Sequence, residues 1–121
     1  MQDAAGGFRT AIQEIVGTVT CWPSLLSMAA TWDIRLMREF AEALGAEFAG
    51  KGANMILGPS INVHRCARGG RNFEYLSGED PYLGSRLTEQ YVLGVQSTGI
   101  ATVELQLTSQ KQDLLLTVNC Q

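Results

Sequence analysis

Short apolar stretches alternate with amphipathic segments of helix length, and this order constrains the fold more than any other feature. The apolar stretches lie at residues 18–22, 53–57 and 100–103, and the helix-length segments at 34–50 and 81–97. As a set, the apolar stretches lack the alternation of half-exposed strands, which is typical of parallel strands covered by helices. Right-handed crossovers place both helices on one face of such a sheet. The sequence therefore predicts an α/β fold with parallel strands alternating with helices.

The two helix segments show the clearest periodicity. Asp33 and Asp80 are predicted N-caps, because an aspartate side chain accepts a free backbone N–H there, and Pro81 suits the first helical position. Glycines at 50, 52 and 99 supply the stops. Apolar residues recur at spacings of three and four, which predicts one buried stripe on each helix. The stripes are Ile34, Met37, Phe40, Ala41, Leu44 and Phe48 on the first helix, and Leu83, Leu87, Tyr91 and Val95 on the second.

A polar loop at residues 58–77 joins the second predicted strand to the second helix. It is longer than the usual connection, and such loops in compact domains are functional or disordered. Aliphatic and aromatic side chains within it favour order. Arg71 follows two glycines, and it has two interpretations. It ties the loop down through Glu74 or Glu79, or its fixed fork of donors holds a ligand at the carboxyl ends of the strands.

Composition and charge exclude several classes of protein. The chain has 121 residues, 45% of them hydrophobic, and a formal net charge of −3. This balance indicates no nucleic-acid partner. No apolar run approaches the roughly 18 residues that a membrane span needs, so no membrane partner is predicted. Cys21, Cys66 and Cys120 are far apart, so the sequence predicts no metal site and no cofactor. A nucleophilic pair of His64 and Cys66 is conceivable, but no third group is placed to orient the base.

Several blocks along residues 1–103 carry a family resemblance. They are QDAAGGFR at 2–9, AATWD at 29–33, GAN at 52–54, LGP at 57–59, NVHR at 62–65, GGRNFEY at 69–75, SGEDPYL at 77–83 and GVQSTG at 94–99. In this order they resemble the N-terminal barrel domain of family-three glycoside hydrolases, the β-glucosidases and their relatives.

The resemblance implies a partial (β/α) TIM-type barrel and hydrolysis of terminal β-D-glucosyl residues with retention. In the family, residues at the positions of Asp3 and Arg71 hold the hydroxyls of the terminal sugar. Arg65, Asn72 and Glu74 would then fix the loop around that sugar. The expected partner is a small β-glucoside or an oligosaccharide. Four aromatic side chains, any of which could stack on a sugar or belong to the core, are Trp22, Trp32, Phe73 and Tyr75.

The chain also departs from the family. The family carries a Lys-His pair directly after the third predicted strand, where this chain has Glu104 and Leu105. The family's nucleophile and acid/base lie on later segments, so no catalytic residue is assigned here. We therefore expect residues 1–103 to be a truncated part of the barrel domain, inactive alone, and 104–121 to be a divergent, unassigned tail. Met1 would be internal, so the lack of a signal peptide leaves the location of the parent enzyme open, secretion included.

Other functional readings stay open at this point. The main alternative is a non-catalytic carbohydrate-binding protein that uses Asp3 and Arg71. A weaker one is an anion-binding module, in which Gly69, Gly70 and nearby arginines cradle a phosphate, although the loop's own acids would repel it. An open partial barrel also leaves strand edges unpaired, so we expect a tendency to self-association.

Overall fold

The computed structural model describes residues 1–4, 6–9 and 13–103. Residues 104–121, the predicted tail, lie outside the described residues. Within the described part, the chain forms a mixed α/β structure around a parallel sheet of three strands. The α/β prediction is therefore confirmed.

The strands of the sheet are β1 (Gln2–Asp3), β2 (Met55–Leu57) and β3 (Ala101–Val103). They lie side by side in chain order, with β2 in the centre. Asp3 pairs with Leu57, and Leu57 pairs with Val103, so the carboxyl ends of all three strands meet at one edge. The predicted strands at 53–57 and 100–103 are confirmed in shortened form.

The predicted strand at residues 18–22 is wrong, because its backbone bonds to side chains of a helix instead of a neighbouring strand. The Thr20 N–H donates to Oε1 of Glu47 at 2.9 Å. The Trp22 indole Nε1 donates to Oε2 of the same carboxylate at 2.7 Å. Lys51 Nζ donates to the Thr18 carbonyl at 2.8 Å. β1 takes the place at the sheet edge that the sequence assigned to 18–22. Asp3 is the last residue of β1.

The described residues form three helices, which are α1 (Leu25–Ala29), α2 (Ile34–Gly50) and α3 (Pro81–Ser97). Single 3-10 turns lie at Gln13–Ile15 and Asn72–Glu74. The predicted N-caps are confirmed: Oδ1 of Asp33 accepts two backbone N–H groups at the start of α2, and Oδ1 of Asp80 does the same for α3. The buried stripes are also as predicted, except that Ile34 is 41% exposed at the first position of α2 and Leu83 of α3 is only partly buried.

The two long helices pack directly on each other through small residues. A methyl group added at Gly94 of α3 would lie 2.6 Å from the Cβ of Ala41 in α2, so the helices are as close there as glycine permits. Phe48 and Tyr91 are almost fully buried in the shared core, together with Ile56 from β2. This arrangement is the one expected when consecutive right-handed crossovers put two helices on one face.

Burial of Tyr91 makes the stability of the fold sensitive to alkaline pH. Desolvation raises the pKa of its phenol in the folded state. The unfolded phenol loses its proton near pH ~10, whereas the buried one stays neutral, so ionisation pulls the equilibrium toward the unfolded state. Tyr91 therefore contributes its full stability below about pH 10, and we expect about 1.4 kcal/mol to be lost per pH unit above it.

Urea titrations between about pH 8 and pH 11 measure this effect through the free energy of unfolding. Tyr91→Phe should flatten the alkaline loss. Tyr82→Phe is the matched control, because its ring is 74% exposed. Equal alkaline losses in the wild-type protein and in Tyr91→Phe would contradict the prediction.

No helix in the described residues is both long and apolar enough to cross a membrane. The same residues contain no group of three side chains suited to hold a metal ion.

Candidate functional site

The candidate site lies at the carboxyl edge of the sheet, where β1 and β2 end next to each other. Asp3 is the last residue of β1 and pairs with Leu57, the last residue of β2. The long loop begins directly after Leu57 and carries Arg71. Ligands of parallel α/β sheets bind at this edge, because the loops and unpaired polar groups of neighbouring strands converge there.

Arg71 is held in place by one buried acid. Its Nε donates to Oε1 of Glu74, one 3-10 turn later in the chain. The Glu74 residue is only 3% exposed, whereas the Arg71 side chain is 49% exposed. The contact uses Nε alone, so it does not consume the two terminal nitrogens of the guanidinium. The ion pair expected between Arg71 and an acid of the loop is thus present, and its partner is Glu74.

Asp3 and Arg71 are close enough to interact electrostatically. The Glu74 hydrogen bond is the main cause that raises the pKa of Arg71, and the charge of Asp3 adds to it in the same direction. Raising the pKa of an arginine leaves it protonated at every physiological pH. The edge of the sheet therefore presents a permanent cation beside a carboxylate.

Asp3 has its own polar surroundings. Its Oδ1 accepts the Ala4 N–H at 2.8 Å. Its Oδ2 lies 3.8 Å from Nη1 of Arg9, whose side chain is 82% exposed. The Asp3 side chain is 40% exposed and lines a cavity of about 280 Å³ together with Gly6, Gly7, Phe8 and Arg9. A weak ion pair with so exposed an arginine leaves the carboxylate available to a ligand.

The loop that carries Arg71 is held by internal hydrogen bonds between backbone and side-chain groups. Ser60 forms a parallel bridge with Tyr75. The His64 N–H donates to the Gly78 carbonyl at 2.6 Å. The Asn72 amide donates to the Cys66 carbonyl and to Nε2 of His64, each at 2.7 Å. These bonds make the loop a fixed platform, in line with the order that its apolar residues predict.

The remaining predicted residues take different positions. Arg65 lies exposed in the same loop. Trp22 is partly buried against the core, and its ring meets Phe40 edge-on at 5.4 Å between centroids. Tyr75 is buried, whereas Trp32 is 70% and Phe73 52% exposed. Burial excludes Tyr75 as a sugar-stacking face, the Trp22 ring is already engaged by Phe40, and the rings of Trp32 and Phe73 are exposed.

Two side-chain contacts at the candidate site were not predicted from the sequence. Arg9 pairs with Asp3, and a basic residue six positions away in a glycine-rich segment gives no periodic signal of that contact. His64 bonds to Asn72, and Cys66 is disulfide-bonded, so the two do not form a nucleophilic pair. In both cases the contact depends on how a loop folds back, which spacing along the chain does not encode.

The fold and the site define an α/β protein whose parallel strands present an acid and an arginine at their carboxyl edge. Comparison with known families makes the class specific. The glycosyl hydrolase family 3 N-terminal domain matches residues 1–105. The chain belongs to this family, as the motif blocks along it indicate.

Named relatives and solved structures agree with the family. The chain is 38% identical over 118 residues to beta-glucosidase B of Emericella nidulans, and this alignment covers 97% of this chain and 14% of that protein. It is 44% identical over 81 residues to the thermostable beta-glucosidase B of Acetivibrio thermocellus, or 67% of this chain and 11% of that protein. Beta-glucosidase 3B of Thermotoga neapolitana, solved in complex with glucose, superposes with a TM-score of 0.77 at 34% identity, over 85% of this chain and 15% of that one.

The Bifidobacterium adolescentis GH3 beta-glucosidase also superposes on the chain, with a TM-score of 0.75 at 36% identity. The superposition covers 85% of this chain. The chain spans about one seventh of the length of these proteins, 14% in the Emericella and Bifidobacterium cases. The activity of these relatives belongs to proteins several times longer than this chain.

Proposed function

We propose that this chain supplies the sugar-holding edge of a β-glucosidase, an enzyme that hydrolyses terminal β-D-glucosyl residues with retention. Asp3 and Arg71 are the proposed substrate-binding residues. The observation that carries the proposal is that Arg71, held by Glu74 through Nε, lies within electrostatic reach of Asp3 at the end of β1.

The chemistry of this pair suits a sugar. A carboxylate accepts two O–H bonds, and a guanidinium whose Nε is already occupied still offers its terminal N–H groups to neighbouring hydroxyls. Charge-assisted hydrogen bonds of this kind are roughly twice as strong as neutral ones. Because Glu74 is buried and Asn72 locks the loop, the donors are held in one orientation before the ligand arrives, which limits the entropy lost on binding.

We further propose that residues 1–103 are part of a TIM-type barrel domain and that 104–121 form a divergent tail. Support for the barrel comes from the parallel sheet and from the superposition on GH3 β-glucosidases. A full barrel has eight parallel strands, and the described residues form a parallel sheet of three strands. Self-association through the outer edges of β1 and β3 stays a prediction of this proposal.

The isolated chain is expected to show no β-glucosidase activity. A retaining glycosidase needs two carboxylates about 5–5.5 Å apart on either side of the scissile bond. In the described residues, Glu74 is engaged with Arg71, and Asp3 is assigned to hold the sugar. Incubation of the purified chain with a chromogenic β-glucoside tests this. Turnover that persists through repurification and disappears in Arg71→Ala would contradict the prediction.

A non-catalytic carbohydrate-binding protein is the alternative, since the same pair would bind a sugar without the catalytic groups. The two functions separate when residues 1–103 replace the matching segment of a full-length relative. A chain descended from the enzyme should support turnover in that setting, whereas a dedicated binder should bind glucoside without turnover. The anion-binding reading is less supported, because Glu74 already neutralises Arg71 and Asp3 would repel a phosphate.

A further inference from the structure

Trp32 occupies a backbone conformation that favours glycine. It follows α1 and immediately precedes Asp33, the N-cap of α2, with a φ of 57°. A left-handed backbone favours glycine, because a Cβ is strained there. Here the position holds the largest side chain of all, and it is 70% exposed. Neither capping nor core packing accounts for a tryptophan, and strained residues of this kind cluster at ligand sites.

The indole lines a pocket that is large enough for a small molecule. The pocket has a volume of about 500 Å³ and lies between α1 and the start of α3. Small-molecule pockets range from roughly 300 to 1,000 Å³. Its apolar lining comes from Leu26, Ala29, Ala30 and Leu83 beside Trp32. It adjoins the loop of the candidate site, because His64 lines it while bonding to Asn72, the residue after Arg71.

The polar lining of the pocket includes two carboxylates, which accept hydrogen bonds, and one imidazole. Glu79 and Asp80 line the pocket at the start of α3. The Asn72 amide nitrogen can only donate, so Nε2 of His64 accepts at 2.7 Å and the Nδ1–H of the imidazole is left as a donor. One aromatic face, carboxylate acceptors and an N–H donor around an apolar floor match a pyranose ring, which has an apolar C–H face and a rim of hydroxyls. A phosphate or another anion would be repelled by both carboxylates.

We propose that this pocket, the Trp32 pocket, binds a sugar ring stacked on the indole, in addition to the sugar held by Asp3 and Arg71. The inference rests on the proposed function for its choice of ligand class. The occupant is a pyranose of an oligosaccharide or glucoside, with its hydroxyls donated to Glu79 and Asp80. The strained backbone aims the indole at the pocket instead of into the core.

Titration of the chain with cellobiose, followed through the indole Nε1–H resonance of each tryptophan, tests the proposal. The Trp32 resonance should shift and saturate. Trp32→Gly should weaken binding in the pocket by roughly tenfold or more, because the stacking face is gone, while Trp32→Phe should retain most of the affinity. Glycine suits the φ of this position, so the variant is expected to fold. In Trp32→Gly, backbone amides of 77–80 report binding in place of the lost indole.

Two further variants separate the pocket from the candidate site. Tyr82→Ala removes an exposed aromatic ring that is absent from the pocket lining, and it should leave the affinity unchanged. Arg71→Ala should abolish responses near Asp3 and leave the Trp32 shift intact. A Trp32 resonance that stays still in saturating cellobiose overturns the proposal, as does wild-type affinity in Trp32→Gly. Loss of the Trp32 response in Arg71→Ala also overturns it, because the two regions would then be one site. Failure of the Asp3 responses alone would count against the proposed function and not against the pocket.

Discussion

Arg71→Ala is expected to lower kcat/KM for a β-glucoside by about 10²–10³ when residues 1–103 are grafted into Thermotoga neapolitana β-glucosidase 3B. The variant removes the donors that the structure leaves open beyond the Glu74 contact, and it strands a carboxylate that is 3% exposed without its partner. An unpaired buried acid adds to the lost sugar contacts, because burial without a partner costs an ionised group heavily. Steady-state kinetics on the graft and its variant provide the measurement.

Two controls accompany this measurement. Arg68→Ala removes an exposed arginine of the same loop and should leave kcat/KM within a few-fold of the graft. Arg71→Lys keeps the charge but loses the planar fork, so it should recover only a small part of the activity. Full activity in Arg71→Ala, with the graft itself active, would remove Arg71 from the sugar site.

Phe48→Ala is expected to destabilise the chain by about 3–5 kcal/mol, the usual cost of deleting a fully buried aromatic ring. The side chain is 0% exposed, and its ring meets Phe8 edge-on at 5.0 Å between centroids. Phe8 precedes α2 by many residues, so the contact fastens the N-terminal segment to that helix. A small domain has a net stability of only about 5–15 kcal/mol, so this single change removes a large share of it.

Phe73→Ala is the matched control for Phe48→Ala. Its ring is 52% exposed, so the same truncation should change the free energy of unfolding by no more than about 0.5 kcal/mol. Urea titration of both variants decides the comparison. Equal destabilisation by the two would mean that the packing around Phe48 does not hold the fold together.

The two long helices of this fold could be predicted from the sequence, whereas one of the three strands could not. α2 and α3 have long apolar stripes and aspartate N-caps, signals that lie within one element. Strand pairing depends on partners elsewhere. The β-branched stretch 18–22 had the right composition, but Glu47 and Lys51 bonded its backbone. β1 has two residues and is too short to show any period.

The candidate site could also be predicted from the sequence only in part. Residue types alone indicate that Arg71 pairs with an acid of its own loop. The structure contains this ion pair, and the acid is Glu74. The role of Asp3 came only from the family resemblance. Asp3 acts on the charge of Arg71 from the end of β1, which pairs with β2, and no local pattern around Asp3 predicts that pairing. The side chain of Trp32 was among the aromatic candidates, but its left-handed backbone could be seen only in the structure.

The pairing of β1 with β2 also sets the order in which a ribosome can assemble the molecule. The partner of Asp3, Leu57, is translated more than fifty residues after it, and Arg71 later still. At about 5–20 residues per second, β1 waits for seconds before the strand that pairs with it has been made. Two residues cannot hold a strand by themselves, so we expect the acid and the arginine to meet only after translation of the loop is complete, with chaperones able to reach the unpaired segment in the interval.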